Sequence, residues 1–166
     1  MSIVWLTGYS GSGKSTIAKA VVELGPAWVV LDGDVTRNGL RADLGGRHDF
    51  GARAESLRFI PHLAKLIHDL GHPVIVDYIN PWEKYRDYAR GVVGDENFFL
   101  VHVATSLEVC RQRDAKGLYA QGAKNLPGVD CSYDPPTRPN LVVLPECTPM
   151  EAARVIVQET NNEHIS

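Results

Sequence analysis

Residues Gly8-Tyr9-Ser10-Gly11-Ser12-Gly13-Lys14-Ser15 have the spacing G-x-x-x-x-G-K-S, a pattern that carries phosphate chemistry. Its glycines let consecutive backbone N–H groups turn inward around an anion. Lys14 is long enough to reach β- and γ-phosphates, and the Ser15 hydroxyl is a ligand for Mg²⁺. A helix starting beside Thr16 adds the positive end of its dipole to the same spot. Gly8, Ser10, Gly11, Ser12, Gly13, Lys14, Ser15 and Thr16 are therefore the candidate ATP-binding residues, with Mg²⁺ as the implied cofactor. A glycine-rich turn that matches by chance is the bland alternative. The apolar run Ile3-Val4-Trp5-Leu6 before the motif and the helical pattern up to Leu24 after it argue against that.

Three further groups carry chemistry. Leu31-Asp32-Gly33-Asp34, with Arg37 one helical turn on, ends an apolar run. A carboxylate there can hold a metal-bound water or take the proton of an attacking hydroxyl, and the arginine can clamp an anionic acceptor. A solvated helix cap formed by Asp34 is the competing reading. Val74-Ile75-Val76-Asp77 resembles a Walker B strand, so Ser15, Asp34 and Asp77 are the metal candidates. Capping of a strand-to-helix loop explains Asp77 about as well. Arg111 and Arg113 precede a Gly/Pro-rich segment and are candidates to close over the phosphates as an internal arginine finger; exposed helix charges are the alternative. A GTPase reading fails, because Asp43-Leu44-Gly45-Gly46 matches D-x-x-G but no N-K-x-D follows. His68 and His72 are separated by a helix break at Gly71, and His62 and His102 read as packing residues with local hydrogen bonds.

The elements that must hold these groups are legible as alternating patterns. Ile3–Thr7, Trp28–Leu31, Val74–Val76, Phe98–Val103 and Leu141–Leu144 are short and nearly all apolar, which suits a parallel sheet covered on both faces. Amphipathic helices are expected over about 15–24, 53–70, 82–90, 106–113 and 149–158. Asn80-Pro81-Trp82-Glu83 and Thr148-Pro149-Met150-Glu151 read as a cap, a first-turn proline and a glutamate, and Thr105-Ser106-Leu107-Glu108 as a capping box. Gly71-His72-Pro73 stops the second helix. The βαβα order predicts one domain over residues 1–160, with a frayed tail at 161–166. Two irregular stretches, 41–52 and 116–139, are expected to be substrate loops or a lid.

Bulk properties narrow the class. The formal charge of −3 argues against a nucleic-acid binder that works by bulk attraction. Cys110, Cys131 and Cys147 lack metal-ligand spacing and read as reduced thiols of a cytoplasmic protein. No apolar run approaches ~18 residues, and the chain enters a strand at once, so neither a membrane span nor a signal peptide is expected.

Several longer strings are similar to one family. Trp5-Leu-Thr-Gly-Tyr-Ser-Gly-Ser-Gly-Lys-Ser-Thr-Ile-Ala18, Leu31-Asp-Gly-Asp34 with Arg37-Asn-Gly-Leu40, Arg53-Ala-Glu55, Ile79-Asn-Pro81, Leu107-Glu-Val-Cys110, Arg113-Asp-Ala-Lys-Gly-Leu-Tyr119 and Gly128-Val-Asp130 resemble adenylylsulfate kinase (APS kinase). The likeness runs from about residue 3 to about residue 158. It implies a three-layer α/β P-loop NTPase fold, with a five-stranded parallel sheet of order 2-3-1-4-5 and a short lid at about 114–139. It also implies transfer of the γ-phosphoryl group of ATP, with Mg²⁺, to the 3′-hydroxyl of adenylyl sulfate. By the same resemblance Lys14, Asp34 and Arg113 are catalytic, and Arg111 joins the ATP site. Asp32, Arg37, Arg53, Ser56, Ile79, Asn80, Lys116, Gly117 and Leu118 would serve the acceptor.

The departures from the family concentrate on that acceptor. Gly46 and Leu126 stand where the family has two phenylalanines that sandwich the adenine, each stacking face being worth about 1–3 kcal/mol. Phe50, Tyr78 or Trp82 would be the substitute rings. Ser56 replaces an asparagine, Asn80 replaces a serine, Asp77 replaces a serine at the third strand end, and the lid is shorter between Tyr119 and Gly128. Two other acceptors therefore stay open: a cytidine diphosphoramidate-type conjugate, and a hydroxymethylpyrimidine nucleotide or DNA. An ATP-binding switch without an acceptor is a third class, and Arg37 and Arg53 count against it. The expected partners are ATP and a small anionic acceptor, with a nucleic-acid acceptor as a lesser option, and a homodimer is left open.

Overall fold

Alternate residues of each strand point to opposite faces, so strands apolar throughout need cover on both sides. The computed structural model, which describes residues 2–25, 27–40 and 49–162, supplies that cover. Strands β1 (Ile3–Thr7), β2 (Val29–Asp32), β3 (Val74–Asp77), β4 (Phe98–Val103) and β5 (Leu141–Val143) form one parallel sheet in the order β2-β3-β1-β4-β5. The helices are α1 (Lys14–Leu24), α2 (Gly33–Asn38), α3 (Phe50–Asp69), α4 (Glu83–Val93), α5 (Leu107–Arg113) and α6 (Pro149–Asn162). Ile3 and Trp5 of β1 face a core with Leu57 and Ile60 of α3 and Tyr85 and Ala89 of α4. Val4 and Leu6 face the other core, with Ile17 and Val21 of α1 and Ala153 and Ile156 of α6. The register pairs Leu6 with Asp77 and Asp77 with Asp32, so the carboxyl ends of β1, β3 and β2 lie side by side. That edge is where ligands bind in open α/β sheets.

The fold class and strand order match the expectation, and local starts differ for identifiable reasons. Helix α2 was not foreseen. It forms because Asp32 Oδ1 accepts from the N–H groups of Asp34, at 2.7 Å, and Val35, at 2.9 Å. The helix cap proposed for Asp34 is thus made by Asp32. Helix α4 starts at Glu83 and not at Pro81, because Trp82 is extended, at φ −113° and ψ 131°, and is itself the N-cap. Ser106, and not Thr105, caps α5; the Thr105 hydroxyl instead donates to Ser12 O at 2.9 Å. The Thr148–Glu151 capping box is formed, with Thr148 N donating to Glu151 Oε2 at 2.8 Å and Glu151 N to Thr148 Oγ1 at 3.3 Å. Asn161 and Asn162 belong to α6 instead of the expected tail, whose residues 163–166 lie outside the described ones. So do Asp43, Gly46 and the rest of 41–48.

The segment 114–139 is anchored along its second half. Trp82 Nε1 donates to Ser132 Oγ at 2.9 Å, Glu83 N to Asp134 Oδ2 at 3.1 Å, and Thr137 Oγ1 to Glu83 Oε1 at 2.6 Å. Tyr133 shares a hydrogen bond with Thr7 Oγ1 at 3.1 Å and packs its ring 4.6 Å from that of Tyr9. Gly128 keeps φ +85°, and a Cβ there would stand 2.4 Å from the Tyr9 ring. Among the described residues no helix is long and apolar enough to cross a membrane.

Candidate active site

The strand-to-helix turn from Gly8 to Ser15 wraps tightly against the sheet. A Cβ on Gly8 would lie 2.6 Å from Val103 O, so only glycine lets the loop approach β4 this closely. Lys14 turns back into its own loop, where Nζ donates to Gly8 O at 2.9 Å, Tyr9 O at 2.7 Å and Ser12 Oγ at 3.3 Å. Burial disfavours its charged form and lowers its pKa to about 8, against the pull of Asp77. Asp77, at the end of β3, is held above the ordinary carboxylate range by burial, which the Ser15 hydrogen bond and the Lys14 charge only partly offset. Ser15 and Asp77 thus set a hydroxyl and a carboxylate side by side at the phosphate loop, a hard-oxygen donor pair that fits Mg²⁺. Among the described residues no cluster of three or more His, Cys, Asp or Glu could hold a metal unaided, so such a cation would draw its other ligands from phosphate and water.

Asp34, in the first turn of α2, is gripped from both sides. Arg37 Nη2 lies 2.6 Å from Oδ1, and Lys116 Nζ, from the lid, lies 2.6 Å from Oδ2. Burial raises the Asp34 pKa, but the Lys116 hydrogen bond and the two positive charges outweigh it and hold the carboxyl below its usual range. Arg53, buried on α3, donates through Nη2 to Asn125 O at 2.8 Å and so ties α3 to the lid. Tyr119 ties the lid to the phosphate loop, its hydroxyl donating to Ser10 O at 2.8 Å.

These groups meet in one cavity of about 880 Å³. Ser10, Gly11, Gly13, Lys14, Ser15 and Thr16 line its phosphate end. Asp32, Asp34, Arg37, Arg53, Ser56, Asp77, Ile79 and Asn80 line the adjoining wall, and Arg113, Lys116 and Leu118 cover it. Gly8 and Ser12 lie behind this lining as partners of Lys14, and Gly117 forms the turn, at φ +66°, between two lining residues. Arg111 is not in this cavity. It lines a separate hollow of about 450 Å³ with Asp114, Tyr119 and Val129, because residues two apart on a helix point in nearly opposite directions. Six cationic side chains (Lys14, Arg37, Arg53, Arg113, Lys116, Lys124) face three carboxylates across the main cavity, although the chain as a whole is acidic. The space suits a polyanionic pair of ligands.

Sequence reasoning missed Asn38, Leu57, Lys124 and Asn125 as lining residues, since no periodicity or spacing marks them. Leu126 lines the cavity as an aliphatic wall. Of the three substitute rings, Tyr78 lines it, with the Arg37 guanidinium 5.8 Å from its ring centre. Phe50 instead packs against Trp82 at 4.7 Å, outside the lining.

The adenylylsulphate kinase family model matches residues 1–144. The chain belongs to the adenylylsulphate kinase family. An adenylyl-sulfate kinase of Paraburkholderia xenovorans is 42% identical over 150 residues, covering 86% of this chain and 82% of the relative. A bifunctional CysN/CysC enzyme of Rhodopirellula baltica is 40% identical over 93% of this chain, which spans only 25% of that longer relative. The Mycobacterium tuberculosis APS kinase CysC, solved in complex with AMPPNP and APS, superposes with a TM-score of 0.87 at 39% identity, with 95% of each chain covered. In this adenylylsulphate kinase family member Asn80 and Leu126 stand in the cavity wall.

Proposed function

We infer that this protein transfers the γ-phosphoryl group of ATP to the 3′-hydroxyl of adenylyl sulfate. The observation that carries this reading is the continuity of one cationic cavity from the phosphate loop at Lys14 to Asp34, Arg37 and Arg53. A bond forms between the acceptor oxygen and the γ-phosphorus, the bond to the β-bridging oxygen breaks, and ADP leaves. Asp34 orients the hydroxyl and receives its proton, which requires it to exchange the Lys116 contact for the acceptor. Both Asp34 oxygens already serve cations, which supports an acceptor role for it over metal binding. Ser15 and Asp77 would hold Mg²⁺, which supplies charge neutralisation at the phosphates. Lys14 and Arg113 neutralise the transferring group, so that catalysis rests on positioning and electrostatics.

The relatives are named for adenylyl sulfate, and this outweighs a nucleic-acid acceptor. A cytidine conjugate is the second reading, favoured by the aliphatic Leu126 in the cavity wall. Release of ADP, measured with adenylyl sulfate, a cytidine 5′-conjugate and a single-stranded oligonucleotide in parallel, tests the choice. Saturable turnover with adenylyl sulfate alone is expected; ATP hydrolysis indifferent to every acceptor would overturn the kinase reading.

A further inference from the structure

Tyr9 stands at a position of the phosphate loop whose residue type the motif leaves free. Its ring is nonetheless held on two sides by the second half of the lid. The Tyr133 ring packs against it at 4.6 Å with the planes tilted by 43°, within the range of aromatic pairs. Gly128 lies so close that a Cβ there would collide with the Tyr9 ring. Tyr133 is itself a fixed partner: its hydroxyl meets Thr7 Oγ1 at 3.1 Å, and the next residue donates from Asp134 N to Pro81 O at 2.7 Å. The backbone end of Tyr9 is as firmly engaged. Its carbonyl accepts from Ser12 N at 3.2 Å, closing the turn of the loop, and from Lys14 Nζ at 2.7 Å. One residue thus joins the anchored half of the lid to the perch of Lys14.

We propose that Tyr9 is a positioning residue for the ATP phosphates: its ring, wedged between Gly128 and Tyr133, holds the loop in its binding shape before the nucleotide arrives and keeps Lys14 poised. The loop works by aiming N–H groups at an anion. That aim helps only if it is fixed in advance, because ordering the loop on binding is subtracted from affinity. A loop this rich in glycine is soft by itself. Lys14 cannot stiffen it throughout, since its head must leave the Tyr9 carbonyl to reach phosphate. The ring contacts involve no group that phosphate would take, so they hold through binding. The anchored part of the lid is then the wall against which the phosphate loop is braced. The inference rests on the loop as the ATP site, and not on which acceptor is phosphorylated.

The test measures the affinity for ADP with Mg²⁺ by calorimetric titration, beside KM for ATP and for adenylyl sulfate. The variants are Tyr9→Leu, Tyr9→Phe, Tyr133→Leu and the double variant Tyr9→Leu with Tyr133→Leu. Tyr9→Leu should weaken ADP and raise the KM for ATP roughly 3- to 10-fold, the size of an aromatic pair, while kcat at saturating ATP and the KM for adenylyl sulfate hold. Tyr9→Phe, the conservative variant, keeps the ring and should restore the affinity. Tyr133→Leu should show a similar loss, and the double variant no more than the larger single loss, as coupled residues do. Melting temperatures are the control: a ring that merely fills space would lower them and leave nucleotide affinity where it was. Should Tyr9→Leu fail to fold, Tyr9→Met, whose flexible side chain fills the same gap, takes its place. Unchanged ADP affinity in the folded variant, a loss in Tyr9→Phe equal to that in Tyr9→Leu, or additive losses in the double variant would overturn the proposal. ADP binding that depends on Tyr9 in a protein that phosphorylates no acceptor would overturn only the kinase reading.

Discussion

Lys116 Nζ stands 2.6 Å from Asp34 Oδ2, although 82 positions separate the two residues. The contact couples the segment 114–139 to a carboxylate in the cavity wall. Both side chains are about half exposed, so the pair is weak enough to exchange for a substrate hydroxyl.

Asp34→Asn should lower the chemical step by ~10²–10⁴-fold, the usual size of a general acid–base contribution. Nucleotide affinity should hardly change. Rapid-quench measurement of the phosphoryl step, beside ADP titration, separates the two, and equal losses in both would move Asp34 to the metal site. Its lowered pKa means that its ion pairs contribute above the ordinary carboxylate range and are lost as pH falls through the lowered value, so the acid limb of kcat should lie low.

Lys14, with a pKa of about 8 in the free protein, predicts the alkaline limb. As pH rises through about 8 it loses the charge that receives phosphate, so kcat/KM for ATP should fall there, while kcat at saturating ATP holds to higher pH. Stability moves the other way. The cost of the buried ammonium is fully present below about 8 and fades as pH rises toward the ordinary lysine value, so this group adds stability across that window. Melting temperatures of the ligand-free protein from pH 7 to 10, set against the same series for Lys14→Met, isolate the contribution.

Asp77→Asn should trade activity for stability. Burial raises the Asp77 pKa, so its charge is a cost to the ligand-free fold at neutral pH, one that disappears as pH falls below the ordinary carboxylate range. The neutral amide should leave the melting temperature unchanged or higher and should abolish the normal response to Mg²⁺. A lower melting temperature together with an unchanged Mg²⁺ titration would assign Asp77 to loop capping instead.

Arg86 is 1% exposed, forms an ion pair with Glu83 and donates to the Asn80 and Asp134 carbonyls. Arg86→Leu strands those groups and should cost about 3–5 kcal/mol by denaturant unfolding. Acceptor KM should rise along with this loss, because the same guanidinium fixes the Asn80 backbone.

The sheet was readable because its strands are apolar on both faces, and the place of Lys14 and Ser15 in the cavity because their spacing is that of a phosphate loop. Helix α2 was not readable: Gly33, Thr36 and Asn38 are weak helix formers, and only the side-chain cap from Asp32 starts it. Asn80 was misread as a cap because its carbonyl is taken by Thr7 and Arg86, partners distant or unmarked in sequence, and the extended Trp82 is the cap instead. The anchoring of Tyr133 was equally hidden, since its partners Thr7 and Tyr9 are more than a hundred positions away. Arg111 and Arg113 look equivalent in sequence, and helical geometry sends them to different hollows.

Because one guanidinium grips both the Asn80 and the Asp134 carbonyls, the chain can change length on only one side of that knot. Residues added or lost within the exposed turn 120–122 leave Tyr133 and Asp134 on their partners. The same change after Cys131 would drag both from their partners and unseat the pocket floor with them. The exposed turn lies between Tyr119, held on Ser10 O, and Leu126, buried in the cavity wall.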